Sequence, residues 1–155
     1  IGGLEKEDGS GNVSYDPVNH ERMVLLRAEK VARIARDIPP IEVHGEESGE
    51  LLVLGWGSTS GAITGAVQSA RRRGLRVSRA HLRHLNPFPE NLGEVLARFD
   101  KVLVPEMNLG QLALLLRARY LKDVITYSKV QGQPFTRQQI LDKILEIMES
   151  NHNVH

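Results

Sequence analysis

Apolar runs of strand length alternate with helix-like segments along most of the chain after residue 50. The runs predict four buried strands at 51–55, 76–82, 101–106 and 123–128. The segments that follow them predict helices at 60–73, 90–98, 109–121 and 136–148. Strands and helices that alternate over short joints indicate parallel strands with right-handed crossovers. The pattern therefore predicts an α/β fold, a three-layer sandwich around a mostly parallel sheet.

The first 40 residues have a different character. Residues 1–16 are polar and rich in Gly, Asn and Ser, which predicts an extended arm. Apolar residues at helical spacing over 17–38 predict a helix, with Asp16 as its N-cap. The short IEVH at 41–44 is a further candidate strand. We expect three parts: an amino-terminal arm and connecting helix at 1–40, the α/β domain at 41–150 and a mobile tail at 151–155.

Composition narrows the range of functions. The 155 residues include no cysteine, which excludes thiolate zinc sites and iron–sulfur ligation by this chain. A net charge of +1 gives no general attraction to nucleic acid or anionic membranes, and neither is predicted as a partner. We expect a cytoplasmic protein. Because the chain begins with Ile1, we also expect a piece of a longer polypeptide.

Glycines and hydroxyls follow the first predicted strand, in the sequence GWGSTSG at 55–61. A dinucleotide-binding loop needs a third glycine where Ser60 stands, and an acidic residue about 20 positions further on. The second strand instead ends in Arg79, His81 and Arg83. Two interpretations remain open: a tight strand-to-helix joint, which is favoured, or a phosphate or carboxylate site at the helix N-terminus.

Four stretches together resemble the α subunit of 2-oxoacid:ferredoxin oxidoreductases, most closely the 2-oxoglutarate type. They are GNVSYDPVNHERMVLLRAEKVARI at 11–34, LGWGSTSGAITGAV at 54–67, HLRHLNPFPENL at 81–92 and VLVPEMNLGQLALLLRARYL at 102–121. The resemblance implies the carboxy-terminal domain of that subunit, similar to the transketolase C-terminal domain. Such a domain has about five strands, and 41–44 would supply the extra one.

The same resemblance implies the chemistry of the parent enzyme. That enzyme converts 2-oxoglutarate and CoA to succinyl-CoA and CO2 with reduction of ferredoxin, using thiamine diphosphate, Mg²⁺ and an iron–sulfur cluster. The family's thiamine motif begins Gly-Asp-Gly and ends in paired asparagines, and this chain has neither. We therefore expect no cofactor in this chain and no activity from it alone. Its implied partners are the front domains of the α chain, a β subunit carrying the cofactors, and ferredoxin.

Candidate contact residues lie in the loops after the predicted strands, where open α/β sheets place ligands. We expect the first and third strands to be neighbours, so that their loops form one surface. No catalytic or metal-binding residue is predicted. The candidate CoA or anion contacts are Gly57, Ser58, Thr59 and Arg83, and the candidate interface residues are Trp56, His84, Asn86, Phe88, Glu106, Asn108 and Gln111.

Several of these residues also have structural interpretations. Asn108 is placed to cap the following helix, and Glu106 is either a buried or a surface acid. The Asn86-Pro87 and Phe88-Pro89 pairs favour a bend. Three functional alternatives stay open for the chain: a stand-alone nucleotide- or CoA-binding module, the equivalent domain of another thiamine enzyme, and a purely structural dimerisation domain.

Overall fold

The computed structural model describes residues 3–152. The strands are β1 (Glu5–Lys6), β2 (Val13–Ser14), β3 (Val43–His44), β4 (Gly49–Trp56), β5 (Val77–Leu82), β6 (Phe99–Glu106) and β7 (Ile125–Ser128). The helices are α1 (Pro17–Arg33), α2 (Ser60–Arg72), α3 (Leu92–Ala97), α4 (Gln111–Tyr120) and α5 (Arg137–His152). The chain divides into two compact units. The smaller comprises Ile1–Pro39 with His84–Glu90, and the larger comprises Pro40–Arg83 with Asn91–His155.

The larger unit is built on a five-stranded sheet with the order β3-β5-β4-β6-β7. The pairs β4–β5, β4–β6 and β6–β7 are parallel, and only the edge strand β3 runs antiparallel to its neighbour. The register aligns Leu51 with Val77 on one side of β4 and with Lys101 on the other. The predicted mostly parallel sheet of about five strands is confirmed, with β3 as the extra strand.

Helices cover both faces of this sheet. Side chains alternate between faces along a strand, and Leu51, Val53 and Leu103 pack in one cluster with buried residues of α2 and α5. The intervening Leu52 and Leu54 are fully buried on the opposite face, where α3 and α4 pack against β6. Continuous burial of residues 51–55 explains the unbroken apolar run of β4, since a strand covered on both faces has no solvent side.

Side chains beside the N-termini of α1 and α5 accept hydrogen bonds from backbone amides there. The Asp16 carboxylate accepts a hydrogen bond from the amide of Val18 at 3.1 Å, which confirms the N-cap of α1. Thr136 and Gln139 cap α5 reciprocally, with backbone-to-side-chain bonds of 3.0 and 3.2 Å. Helix α1 ends earlier than predicted, because a 3-10 turn replaces it over Ile34–Asp37. Helix α5 continues into the predicted tail, of which residues 153–155 lie outside the described residues.

The smaller unit contains a short hairpin where the sequence predicts an extended arm. Strands β1 and β2 pair antiparallel, and both guanidinium nitrogens of Arg27 on α1 bond the Glu5 carboxylate, at 2.7 and 3.1 Å. The bond from Arg27 is the main reason that the pKa of Glu5 is lowered to about 2. None of the residues of α1 is buried.

Within the described part of the chain, no helix combines the length and the apolar character needed to cross a membrane.

Candidate functional site

The order in which strands join the sheet reverses at β4: the chain adds β5 on one side of β4 and then β6 on the other. Strand β4 leads into α2 on one face of the sheet and β6 leads into α4 on the other, so a crevice forms outside the carboxyl ends of these two neighbouring strands. Open α/β sheets bind their ligands at this topological switch point. The crevice has a volume of about 180 Å³ and is lined by Trp56, Gly57, Ser58, Thr59, Met107 and Asn108. The predicted neighbourhood of the first and third long strands is thus confirmed.

The corner after β4 is closed by its own hydroxyl. Thr59 accepts a hydrogen bond from the amide of Trp56 at 3.2 Å and donates one to the Trp56 carbonyl at 2.8 Å. Residues Gly57–Thr59 form a 3-10 turn that runs directly into α2, and Gly57 has a φ of +57°, which favours glycine. Thr59 therefore supplies the hydroxyl that fixes this strand-to-helix joint.

Gly55 is required for packing. A Cβ atom at this position would lie 2.4 Å from Cδ1 of Ile63, 2.9 Å from Oγ1 of Thr59 and 3.3 Å from Nδ1 of His81. No side chain fits there without displacing its neighbours, so this glycine lets α2 approach the sheet. Gly55 therefore has a packing role, as expected of a tight strand-to-helix joint.

The N-terminus of α4 is occupied by acceptors from its own chain. The Glu106 carboxylate accepts hydrogen bonds from the amides of Leu112 at 2.8 Å and Ala113 at 3.1 Å. The side-chain oxygen of Asn108 accepts from the amides of Gly110 at 2.8 Å and Gln111 at 3.0 Å. These bonds satisfy the amide groups that a helix N-terminus would otherwise offer to an anion. Asn108 is thus a helix cap, as one interpretation of the sequence has it.

Two predicted interface residues are inside the protein. Glu106 has an exposed fraction of 0% and Phe88 one of 5%. Both side chains are withdrawn from solvent within this chain. The physical reasons differ: Glu106 serves as an internal acceptor for α4, while Phe88 is a large apolar side chain withdrawn from water.

The other predicted contacts are distributed over both units. Trp56, Gly57, Ser58, Thr59 and Asn108 line the crevice. Arg83, His84, Asn86 and Gln111 are exposed outside that lining, and His84 and Asn86 belong to the smaller unit.

Met107 lines the crevice and was not predicted from the sequence. Its sulfur accepts a hydrogen bond from the hydroxyl of Ser58 at 3.6 Å. Its position between Glu106 and Asn108, immediately after a buried strand, is the signal that could have identified it.

The crevice is smaller than a typical ligand-binding pocket. Ligand pockets for drug-sized molecules occupy about 300–1,000 Å³, so a volume of about 180 Å³ accepts one side chain or one small group of a larger ligand. None of the six lining residues carries an acid, a base or an activated nucleophile. Among residues 3–152, no group of three or more His, Asp or Glu side chains is arranged to hold a metal ion.

His81 lies on β5 beside this corner, with its Nδ1 atom facing the Cα of Gly55. Its Nδ1 atom is buried and has no hydrogen-bond partner among the described residues. Burial is the main cause that lowers the pKa of His81, and the positive charges of Arg83 and Arg79 add to it. The imidazole therefore resists protonation in the folded protein.

We expect stability to fall as the pH drops below about 6.5, because the unfolded chain takes up a proton at His81 before the folded chain does. The unfolded chain binds a proton near pH 6.5 and the folded chain only at lower pH, so stability decreases as the pH falls from about 6.5 through the lowered pKa. An NMR titration of His81 should show this lowered pKa, and Arg83→Ala should raise it without restoring the ordinary value. An unshifted pKa in the native chain would contradict the assignment.

The fold and the site define an α/β domain with a crevice at the carboxyl ends of two central parallel strands. Residues 49–140 match the pyruvate:ferredoxin oxidoreductase core domain II, and the chain belongs to this family. It is 53% identical over 141 residues to the 2-oxoglutarate oxidoreductase subunit KorA of Mycobacterium tuberculosis, a match covering 90% of this chain and 21% of that protein. It is 35% identical to the α subunit of 2-oxoacid:ferredoxin oxidoreductase 2 of Aeropyrum pernix, over 97% of this chain and 24% of that protein.

Solved structures agree with this assignment. The 2-oxoglutarate:ferredoxin oxidoreductase from Magnetococcus marinus, with 2-oxoglutarate, coenzyme A and succinyl-CoA bound, matches 92% of this chain and 26% of its own, at a TM-score of 0.86 and 32% identity. A split-gene transketolase, solved as an inactive tetramer of four beta chains, matches 72% of this chain and 43% of its own. Its TM-score is 0.57 and its sequence identity 16%, so this match shows the fold alone. The resemblance found in the sequence is confirmed. The chain spans about a fifth to a quarter of the length of the Mycobacterium, Aeropyrum and Magnetococcus relatives.

Proposed function

We propose that this chain is a domain of the α subunit of a 2-oxoglutarate:ferredoxin oxidoreductase. The parent enzyme would convert 2-oxoglutarate and CoA to succinyl-CoA and CO2 and pass the electrons to ferredoxin. The observation that carries the proposal is the 53% identity to the Mycobacterium tuberculosis subunit over 90% of this chain. The domain would occupy the carboxy-terminal position in the α subunit, and the enzyme would work in the cytoplasm.

In this proposal the domain contributes assembly and not chemistry. Thiamine diphosphate, which supplies the carbanion chemistry of such enzymes, needs a diphosphate loop and Mg²⁺ ligands. The residues here do not fit it, because the crevice has no carboxylate and the nearby Glu106 is buried and engaged by α4. The thiamine diphosphate and the iron–sulfur cluster would lie in other parts of the enzyme, chiefly the β subunit. Front domains of the α chain, the β subunit and ferredoxin are the proposed partners.

The proposed contact with CoA is limited to one group of that molecule. Gly57 and Ser58 are exposed at the start of the turn before α2, and Arg83 is exposed at the end of the neighbouring strand β5. A helix N-terminus favours an anion, and α2 keeps this option, whereas α4 has its amides occupied. We place a phosphate of CoA against Gly57, Ser58 and Thr59, with Arg83 as the nearby cation.

Reconstitution tests the proposed reaction. The α subunit that contains this sequence should be purified with a cysteine-bearing β subunit and assayed for ferredoxin reduction with 2-oxoglutarate. We expect reduction that depends on CoA, and none from the 155-residue chain alone. Reduction only with another 2-oxoacid would refute the substrate, and reduction of NAD in place of ferredoxin would favour the domain of another thiamine enzyme.

Calorimetry on the chain alone tests the remaining alternative. Titration with CoA, NADP and Mg²⁺-thiamine diphosphate should give no saturable heat, since the proposed phosphate contact is too small to hold CoA without partners. Micromolar binding of CoA or NADP would instead favour a stand-alone binding module.

In the assembled enzyme, Ser58→Ala and Arg83→Ala should raise the KM for CoA while leaving the KM for 2-oxoglutarate unchanged.

A further inference from the structure

Three basic side chains follow one another on one face of β5, at its carboxyl end. Side chains two positions apart on a strand point to the same face, so Arg79 and His81 share a face. Arg83, the first residue after the strand, continues the series. The register pairs Arg79 with Val53, which packs with residues of α2 and α5. The three basic residues therefore lie on the α2 side of the sheet, next to its edge strand β3.

The two arginines have no partner of their own. Within residues 3–152, neither Arg79 nor Arg83 forms an ion pair or a hydrogen bond. The arginines near the start of β5 differ in this respect, because Arg71 and Arg76 both pair with the Glu46 carboxylate at 3.5 Å. Arg83 is exposed and Arg79 is partly exposed. Two unpaired positive charges on one strand face attract an anion from solution.

The imidazole between the arginines adds a hydrogen-bond donor. Nδ1 of His81 lies against Gly55, and it is the one buried side-chain nitrogen or oxygen without a partner in the described part of the chain. Nε2 is therefore the ring nitrogen that is left to meet a ligand. With its hydrogen on Nε2, the ring donates there whether or not Nδ1 is protonated. The positive charges of Arg83 and Arg79 both lower the pKa of His81, as they do only from close range.

One carboxylate lies near these residues without neutralising them. The register of β3 pairs His44 with Arg79, and one further step along it places Glu42 opposite His81. Glu42 is exposed and forms no ion pair with any described residue, and its charge is not among the causes that shift the pKa of His81. The side chains that α2 and the preceding turn bring to this corner, Ile63 and Thr59, are uncharged.

We propose that Arg79, His81 and Arg83 form a binding site for a phosphate monoester. Alternate residues of a strand are about 6.5–7 Å apart, so a phosphate group over His81 lies within reach of both arginine side chains. Its three free oxygens and double charge match two guanidinium groups and one N–H donor, whereas a carboxylate offers two oxygens and one charge. Free phosphate and the 3′-phosphate of CoA share this chemistry, and for CoA as the source the inference rests on the proposed function.

NMR titration of the 155-residue chain with inorganic phosphate tests the site. We expect saturable shifts of the Nε–H signals of both arginines and of the His81 ring, with a Kd of about 1–10 mM, too weak to give a resolved heat in calorimetry. Arg79→Gln should weaken binding about tenfold, and acetate should bind several-fold more weakly than phosphate. The control Arg73→Gln removes the same charge from the exposed end of α2 and should leave the Kd unchanged.

Three results of this titration would overturn the inference. Shifts that do not saturate would show that no site exists. Equal losses for Arg79→Gln and Arg73→Gln would reduce the effect to net charge, and equal affinities for acetate and phosphate would refute a monoester site.

The assembled enzyme identifies the source of the phosphate. Dephospho-CoA lacks the 3′-phosphate, so Arg79→Gln should raise the KM for CoA and leave that for dephospho-CoA unchanged if CoA is the ligand. An equal rise for both would exclude the 3′-phosphate and, with saturable phosphate binding, would support free phosphate as the ligand. An enzyme that does not oxidise 2-oxoglutarate would refute the proposed function, while the phosphate titration of the chain alone would still decide whether the site exists.

Discussion

Replacing Glu106 with alanine is expected to lower the free energy of unfolding by about 3–5 kcal/mol. The side chain is completely buried and accepts hydrogen bonds from the amides of Leu112 and Ala113. Alanine would leave these two amides buried without acceptors, at about 1–3 kcal/mol each, and would leave a cavity as well. It would also remove a negative charge from the positive end of the α4 dipole. Urea unfolding of the 155-residue chain measures the loss.

Two further variants separate the hydrogen bonds of Glu106 from its shape. Glu106→Gln keeps the volume and one oxygen but directs an NH2 group at a backbone N–H donor, so we expect a smaller loss of about 1–2 kcal/mol. Glu94→Ala on α3 is the matched control, because the Glu94 side chain is 77% exposed and its ion pair with Arg98 is long, at 3.9 Å. It should change stability by less than about 0.5 kcal/mol. A loss below about 1 kcal/mol for Glu106→Ala would contradict the proposed capping role.

The sheet could be predicted from sequence because its strands are buried on both faces. Residues 51–55 form an unbroken apolar run of strand length, which is what a strand covered on both faces requires. The capping pairs at Asp16 and Thr136–Gln139 were also predictable, since each depends on residues only two or three positions apart. The hairpin β1–β2 was not, because its strands have two residues each and Arg27, 22 positions from Glu5, helps to anchor it.

The site was less predictable, because the roles of its residues depend on how two loops meet. A glutamate at a strand end has the same local sequence whether it faces water or a helix N-terminus, so the burial of Glu106 requires the placement of α4. The local sequence around Phe88 likewise does not determine whether its side chain is buried or exposed. Glycine-rich sequence after a strand permits both phosphate binding and close packing, and only the neighbours of each glycine distinguish the two. The structure assigns packing to Gly55 and turn geometry to Gly57.

Gly55→Ala is expected to destabilise the chain by about 1–3 kcal/mol through overpacking. The new Cβ atom would lie 2.4 Å from Cδ1 of Ile63 and 2.9 Å from Oγ1 of Thr59. Ile63 is 2% exposed and Thr59 is 4% exposed, so neither side chain can move into solvent. Relief of the contact with Thr59 would also strain its two hydrogen bonds to Trp56, which close the corner. The crevice should therefore lose order together with stability.

A double-mutant cycle with Ile63→Val tests this cause directly. Valine lacks the Cδ1 atom, so Ile63→Val alone should cost about 0.5–1.5 kcal/mol by leaving a cavity. In the Gly55→Ala background the new methyl group occupies that space, and the two losses should combine to about 1 kcal/mol less than their sum. Recovery should stay incomplete, because the contact with Thr59 remains. Gly61→Ala is the control: nothing lies within 4 Å of its Cβ position, so alanine in α2 should stabilise the chain by about 0.5–1 kcal/mol. Additive losses for Gly55→Ala and Ile63→Val would show that the Ile63 side chain is not what requires a glycine at position 55.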